Sequence, residues 1–187
     1  MKQFILQSFS NLFLNNESHL AAKIRSRLYG TDCFIDTAVV IKNRRNFEAA
    51  SHCALYHGTY ILNSKGSFKM GSRSHLGAFC FVNACYGKVE IGDDVAIGPG
   101  TKIFSYSNHY EDGKKVTESK MTKDVSIGNN VFIGANCSIF PGTVIEDDVV
   151  IGAGSVIKGR VEAGGVYAGS PCRKIKDRAG KVNESAF

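Results

Sequence analysis

Residues 127–162 read IGNNVF, IGANCS, IFPGTV, IEDDVV, IGAGSV, IKGRVE, which sets isoleucine at 127, 133, 139, 145, 151 and 157. The step of six is unbroken over this stretch. A second block, IGDDVA, IGPGTK, IFSYSN, puts Ile91, Ile97 and Ile103 on the same step, and MGSRSH and LGAFCF carry it upstream through Met70, Leu76 and Val82. The fifth position of each hexad is small or β-branched: Ser74, Cys80, Val95, Thr101, Ser107, Val131, Cys137, Thr143, Val149, Ser155 and Val161. A residue two places before the next aliphatic one shares its face in an extended strand. Each hexad therefore reads as a short strand with two inward side chains, closed by a turn in which Gly, Asn and Asp recur. Three such flats make a triangular coil of about 18 residues, and stacked coils make a prism. An amphipathic helix would need apolar spacings of three and four, which are absent. Period alone leaves the hand of the coil open.

Working outward, Ile35, Ile41 and Phe47 keep the step before it blurs through HCALYHGTYILNSKGS, so residues 31–69 read as a degenerate start of the same solenoid. Residues 1–30 read as one or two short helices with Leu20, Ala21, Ile24 and Leu28 on one face. A cap over the first coil, whose strand edges need covering, is the expected role. A membrane-surface or acceptor-docking role is the alternative. The expected organisation is a helical cap over 1–30, a β-helix over 31–170 with an excursion loop at 104–126, and a basic C-terminal tail over 171–187.

Composition fits this plan. Hydrophobic residues make up 43% of the 187 and charged residues 21%, which excludes a disordered chain. Twenty glycines against three prolines suit a fold with many tight turns. The net charge of +6 is compatible with nucleic acid, an anionic membrane or a phosphorylated ligand. No nucleic-acid motif accompanies it, so no nucleic-acid partner is expected. Six cysteines show no CxxC pair, which argues against a zinc site or disulfide framework. Cys80 and Cys137 fall at small inward positions and Cys85 lies near Asn83. The apolar start is interrupted by Gln, Ser and Asn, and no run nears the ~20 residues of a spanning helix. A cytoplasmic enzyme without a secretory leader is the expectation.

A functional site is sought where a local rule fails. After IFSYSN the next aliphatic position holds His109, and no hexad follows until Ile127. The interval SNHYEDGKKVTESKMTKD is polar and unpatterned, and reads as a loop thrown out of the prism; long loops in a regular scaffold are usually functional. The other histidines compare poorly. His19 belongs to the N-terminal helix, His52 and His57 to the degenerate coils where either could line an acceptor pocket, and His75 to an outward hexad position. His109 combines a loop root, a break in register and polar neighbours. An imidazole with an ordinary pKa of about 6.5 can take a proton from a hydroxyl near neutrality. Its other nitrogen needs a partner, for which a backbone carbonyl, Glu111 and Asp112 are candidates.

The ordered set FVN at 81–83, the loop histidine, NNVFIGAN, FPGTVI, VIGAGSV and AGSPCRKIK resembles the hexapeptide-repeat acyltransferases over about residues 70–178. The resemblance is to the galactoside and maltose O-acetyltransferases and to relatives that decorate bacterial surface polysaccharides. It implies a left-handed coil, against the usual ~98% preference for right-handed parallel crossovers. It also implies a homotrimer with acetyl-CoA in a cleft between adjacent prisms. On the same basis His109 matches the catalytic base and Asn83 an asparagine at the reactive end of the cleft. Ala135 and Ala153 fall where backbone groups meet the pantetheine arm, and Phe132 stands where many members carry tryptophan. Lys158, Arg173 and Lys176 match positions that meet the nucleotide and its phosphates; three cations suit a polyphosphate. Departures are visible: Glu162-Ala163 replaces a proline pair, and Lys158-Gly159 replaces Thr-Lys. The segment between Asn83 and Ile91 is shorter than in galactoside acetyltransferases and lacks an acidic acceptor contact, so a galactoside acceptor does not carry over.

The implied function is O-acetylation of a sugar hydroxyl in lipopolysaccharide or capsule biosynthesis, on a sugar or oligosaccharide that is free, nucleotide-linked or lipid-linked. N-acetylation of an amino sugar would use the same base and donor. A γ-type carbonic anhydrase would need three convergent histidines, and none lies downstream of His109. A non-catalytic binding solenoid would have no reason to break its hexads with a histidine loop.

Overall fold

The computed structural model describes residues 19–178, so the part of the proposed cap before His19 and the end of the tail lie outside the described residues. The chain forms a left-handed parallel β-helix of about six turns with one short helix, His19–Leu28, ahead of it. Strands two to four residues long repeat on three faces. The first face stacks, in order, the strands ending at Ile35, Leu55, Leu76, Ile97, Ile133 and Ile151, then Gly165–Ala168. The second stacks strands centred on Ile41, Ile61, Val82, Ile103, Ile139 and Ile157, and the third runs from Phe47–Ala49 to Arg160–Val161.

Every hexad isoleucine from Ile127 to Ile157 is buried, as are Val131, Cys137, Thr143, Val149, Ser155 and Val161 at fifth positions. Phe132, between two buried neighbours, is half exposed, which is the alternation expected of a one-sided strand. The buried side chains form one continuous column along the prism axis. Its polar members are satisfied by backbone: the Thr101 hydroxyl donates to the Gly134 carbonyl of the next coil at 3.1 Å and the Ser155 hydroxyl to Gly152 in its own coil at 2.6 Å.

The blur upstream has a local cause. Ile133 pairs with Ile151 and Ile139 with Ile157, eighteen positions on, whereas Leu55 pairs with Leu76 twenty-one on. The extra residues sit at one corner, between the second and third faces, as the 3-10 turn Arg44–Asn46 and the segments 63–66 and 84–87. Asn63 fills this corner in the second coil. Wholly buried, it accepts from the Asn43 amide at 2.9 Å and donates to the carbonyls of Asn43 and Asn46 at 2.8 and 3.0 Å. A fixed apolar step cannot register a corner held by polar bonds.

Two details differ from the expectations. Ser107, assigned to an inward position, is half exposed in an antiparallel hairpin, and Ser105 takes the inward place with no exposure. The helix presents Ala22 and Ser26 to the first coil, while Ile24 and Leu28 are 43% and 59% exposed. Small residues let the helix approach the coil closely: the Ser26 hydroxyl reaches the carbonyls of Ala22 and Cys33, and Arg25 donates to the Val39 carbonyl at 2.6 Å. In the segment read as a basic tail, Arg173–Asp177 forms a strand that pairs antiparallel with Gly165–Ala168 and closes the first face. No helix among the described residues is long and apolar enough to cross a membrane.

The cysteines follow the same packing. Cys33, Cys53, Cys80 and Cys137 are buried, and Cys85 and Cys172 half-buried. Desolvation pushes the Cys80 thiol up to about 11, which suppresses its thiolate. A thiol-reactive dye is therefore expected to label Cys85 and Cys172 in the native protein and the other four only after unfolding. Rapid labelling of Cys80 or Cys137, read by peptide mass, would contradict the inward placement.

Candidate active site

The excursion leaves the solenoid at the corner where the earlier coils carry their extra residues. Tyr106–Asn108 pairs antiparallel with Lys120–Thr122, so the loop expected over 104–126 is a hairpin rooted between Ser105 and Lys123. Phe104 is still in the second-face strand, opposite Asn83. Ser105 amide and hydroxyl both donate to the Asn83 carbonyl, at 2.9 and 3.1 Å, and the Lys123 amide donates back to Ser105 at 3.0 Å. The hairpin thus occupies Ile97-to-Ile133 and Ile103-to-Ile139 separations of thirty-six residues, twice the normal coil, without breaking the stack.

Asn83 supports this root. Its side-chain amide donates to the Tyr106 carbonyl at 3.4 Å, and its side-chain oxygen accepts the Cys85 amide at 3.2 Å. The Tyr86 and Tyr106 rings lie 4.8 Å apart. His109 follows one residue beyond the paired strand; its amide donates to the Ser119 carbonyl at 3.0 Å, and the residue is exposed.

Of the candidate side-chain partners for His109, Glu111 is the one whose carboxyl feels the charge of the imidazole. The Glu111 carboxylate accepts from Lys114 at 2.7 Å and from the Ser119 hydroxyl at 2.8 Å. These two bonds, then desolvation opposing them, then the charge of His109, leave its carboxyl below the usual range, so it is an anion near neutrality. Asp112 is turned to its own loop, accepting from the Gly113 amide at 3.1 Å. Ser119 therefore ties both ends together, its carbonyl holding the His109 backbone and its hydroxyl the Glu111 carboxylate. Sequence reading did not find Ser119 or Lys114, because the hairpin pairing that brings them to His109 cannot be read from apolar spacing.

A second feature lies further along the same corner. Phe140, Val156, Lys158, Pro171, Cys172 and Arg173 line a cavity of about 420 Å³. The stacking brings Lys158 and Arg173 to one hollow with an apolar wall. Ala135 and Ala153 lie on the opposite edge of the second face, at a corner packed so closely that a Cβ on Gly134 would sit 2.5 Å from the Ala153 nitrogen. There the Ala135 carbonyl accepts the Gly154 amide of the next coil at 2.8 Å. Phe132 is on the first face, and Lys176, on the closing strand, does not line the cavity. Between Arg160–Val161 and Gly165–Ala168, the Ala163 amide donates to Glu146 at 2.9 Å, a bond that a proline at this place could not make. His52 and His57 sit at other corners, 3.9 Å from Asp32 and 3.6 Å from Asp36 respectively.

Comparison with known proteins bears on this arrangement. Residues 124–158 match the hexapeptide repeat of succinyl-transferase. The chain carries the hexapeptide repeat. It is 33% identical over 115 residues to galactoside O-acetyltransferase of Escherichia coli strain K12, covering 59% of this chain and 57% of that protein. The chain spans about half the length of the curated relatives it matches. Among solved structures, a maltose O-acetyltransferase from Clostridium difficile 630 superposes with a TM-score of 0.60 at 26% identity, covering 91% of this chain and 83% of that one. The D94A mutant of AntD, an N-acyltransferase from Bacillus cereus solved with dTDP and coenzyme A, gives a TM-score of 0.70 at 25% identity over 79% and 81% of the two chains.

Proposed function

We propose that this hexapeptide-repeat chain is an acyltransferase that moves an acetyl group from acetyl-CoA to a sugar hydroxyl, in the biosynthesis of surface polysaccharide. The observation that carries the reading is the pairing of Lys158 and Arg173 around an apolar-walled hollow on the corner from which the His109 hairpin springs. Two cations beside an apolar surface fit a polyphosphate attached to a thin, largely apolar arm. The donor supplies a thioester, already activated for acyl transfer.

What the chain must add is position and a proton acceptor. Asn83 and Ser105 fix the root of the hairpin, and the Ser119 carbonyl fixes the His109 backbone. His109 takes the proton of the acceptor hydroxyl. Lys158 and Arg173 hold phosphates, and the corner at Ala135 and Ala153 meets the arm. A homotrimer, with the donor between adjacent prisms, is part of the proposal. An outward ladder of rings supports it: Tyr60–Phe81 at 5.8 Å, Phe81–Phe104 at 6.1 Å and Phe104–Phe140 at 6.1 Å form an apolar surface on the second face. N-acylation of an amino sugar is the second reading, favoured by the likeness to the AntD N-acyltransferase.

Cys172 provides a test that does not depend on knowing the acceptor. Coenzyme A is expected to protect Cys172 from alkylation and leave Cys85 reactive, and Lys158→Glu with Arg173→Glu is expected to abolish that protection. Equal labelling of Cys172 with and without saturating coenzyme A would count against this donor site. Acetyl-CoA turnover across hydroxyl and amino sugars then separates the two readings.

A further inference from the structure

Cys33 and Cys53 are twenty residues apart in the sequence, yet the stacking sets them side by side. Phe34 pairs with Ala54 and Ile35 with Leu55 in parallel register, and the Phe34 amide donates to the Cys53 carbonyl at 2.8 Å. The cysteines directly precede this pairing, each two places before an inward Ile35 or Leu55, and both are buried. Neighbouring strands lie about 4.8 Å apart, so the two Cα atoms fall inside the roughly 4.4–6.8 Å window of a disulfide. A hydrogen bond from the Cys33 thiol holds the Cys53 thiol below its ordinary value, and the same bond, together with burial, pushes Cys33 up. The other two buried cysteines are kept apart. Cys80 and Cys137 share a column but stand on either side of Thr101, since the Phe81 amide reaches the Thr101 carbonyl at 3.0 Å and the Lys102 amide the Cys137 carbonyl at 2.9 Å.

A disulfide at Cys33 and Cys53 would act on the least supported coil. The first coil has a neighbouring coil on one side only, and on the other it meets the helix, whose Ser26 hydroxyl donates to the Cys33 carbonyl. Terminal units of a stacked array open most readily. A bond between the two sulfurs would close residues 34–52, nearly all of the first coil, into a loop fastened to the second. We propose that Cys33 and Cys53 are a peroxide-responsive pair whose disulfide locks the first coil to the second. The Cys53 thiolate attacks one peroxide oxygen and the O–O bond breaks. A sulfenic acid forms, and the other oxygen leaves as hydroxide, which takes the thiol proton to become water. The Cys33 sulfur then displaces the sulfenic hydroxyl, which leaves with the Cys33 proton as a second water, and the S–S bond closes. The two thiols give up two electrons, and the peroxide is reduced. Hydrogen peroxide, little larger than water, suits a buried pair that a bulky dye does not reach.

The full-length protein is treated with hydrogen peroxide, unfolded, alkylated with N-ethylmaleimide and digested without reductant. Two peptides joined through Cys33 and Cys53 are expected, separating on reduction and absent from Cys33→Ser and Cys53→Ser. In Cys33→Ser the Cys53 sulfenic acid lacks its resolving thiol, so dimedone should trap it, whereas Cys33 in Cys53→Ser should remain a thiol. Hydrogen exchange of the native wild type reads the lock. The amides of Val40 and Lys42, which reach the Thr59 and Ile61 carbonyls at 2.9 and 3.0 Å, should exchange about tenfold or more slowly after oxidation and regain their rate with dithiothreitol. The Gly152 amide, bonded to Tyr167 at 2.8 Å near the other end, is the internal reference and should not change. Absence of the joined peptides from the treated wild type would overturn the pairing. A joined pair with unchanged exchange at Val40 and Lys42 would overturn the lock.

Discussion

Replacing His109 with alanine is expected to lower the rate of acetyl transfer by about 10²–10⁴-fold, the usual contribution of a positioned general base. The side chain is exposed and makes no hydrogen bond among the described residues, so nothing in the packing depends on it. Its backbone amide, which extends the hairpin pairing to Ser119, is retained in the variant. Circular dichroism and the oligomeric state should therefore match wild type, and coenzyme A should still protect Cys172. A general base lost in this way can be replaced in part from solution, so millimolar imidazole is expected to restore some turnover to His109→Ala. Glu111→Gln removes the carboxylate held by Lys114 and Ser119 and keeps its shape, and should cost less than His109→Ala. Full transferase activity in His109→Ala would mean that the hairpin does not supply the base.

The strict sixes of residues 127–162 were legible because a six-residue strand and turn is the whole side of the prism there, with no residue to spare. Where a corner holds additional residues the same reading loses register, as it does before Met70. Asn63 shows why: a buried amide with three bonds to the coil above it closes the corner as firmly as an isoleucine closes a face, and carries no apolar signal. Ser107 was assigned inward for the opposite reason. Tyr106–Asn108 continues the alternation of a strand, but pairs with its own hairpin and not with the solenoid. The helix face was misjudged because Ile24 and Leu28 have the right spacing, while close approach to the coil favours Ala22 and Ser26.

At the site, His109 was legible as a break in a rule. The sequence also supplied Lys158 and Arg173 as cations, though not that fifteen residues of chain fold back to set them in one hollow with Phe140 and Cys172. That proximity arises from stacking: Phe140 and Lys158 are successive coils of one corner, and the closing strand returns antiparallel beside them. Lys176 has the same charge and nearly the same position in the chain, yet lies outside the hollow. Charge near the end of a sequence locates a candidate; only the turn of the strand selects among neighbours.

The largest loss of stability is expected from Ile139→Ala, about 2–5 kcal/mol. Ile139 has no exposure and lies in register between Ile103 of the preceding coil and Ile157 of the next. Hydrogen bonds fix both flanking levels: the Lys102 amide reaches Cys137 at 2.9 Å, and the amides of Ser138 and Phe140 reach Ser155 and Ile157 at 2.8 and 2.9 Å. Neighbouring isoleucines cannot move inward to fill the space without breaking these bonds, so the cavity should persist and its cost should lie towards the upper part of the range. Ile41→Ala is the comparison, because Ile41 begins the second face and is covered by a coil on one side only. Stability in a stacked array is largely a sum of nearest-neighbour interfaces, and Ile139 takes part in two. Urea unfolding at a fixed protein concentration should therefore show a larger drop in midpoint for Ile139→Ala than for Ile41→Ala. Equal drops would mean that the coils do not transmit packing along the axis as the register implies.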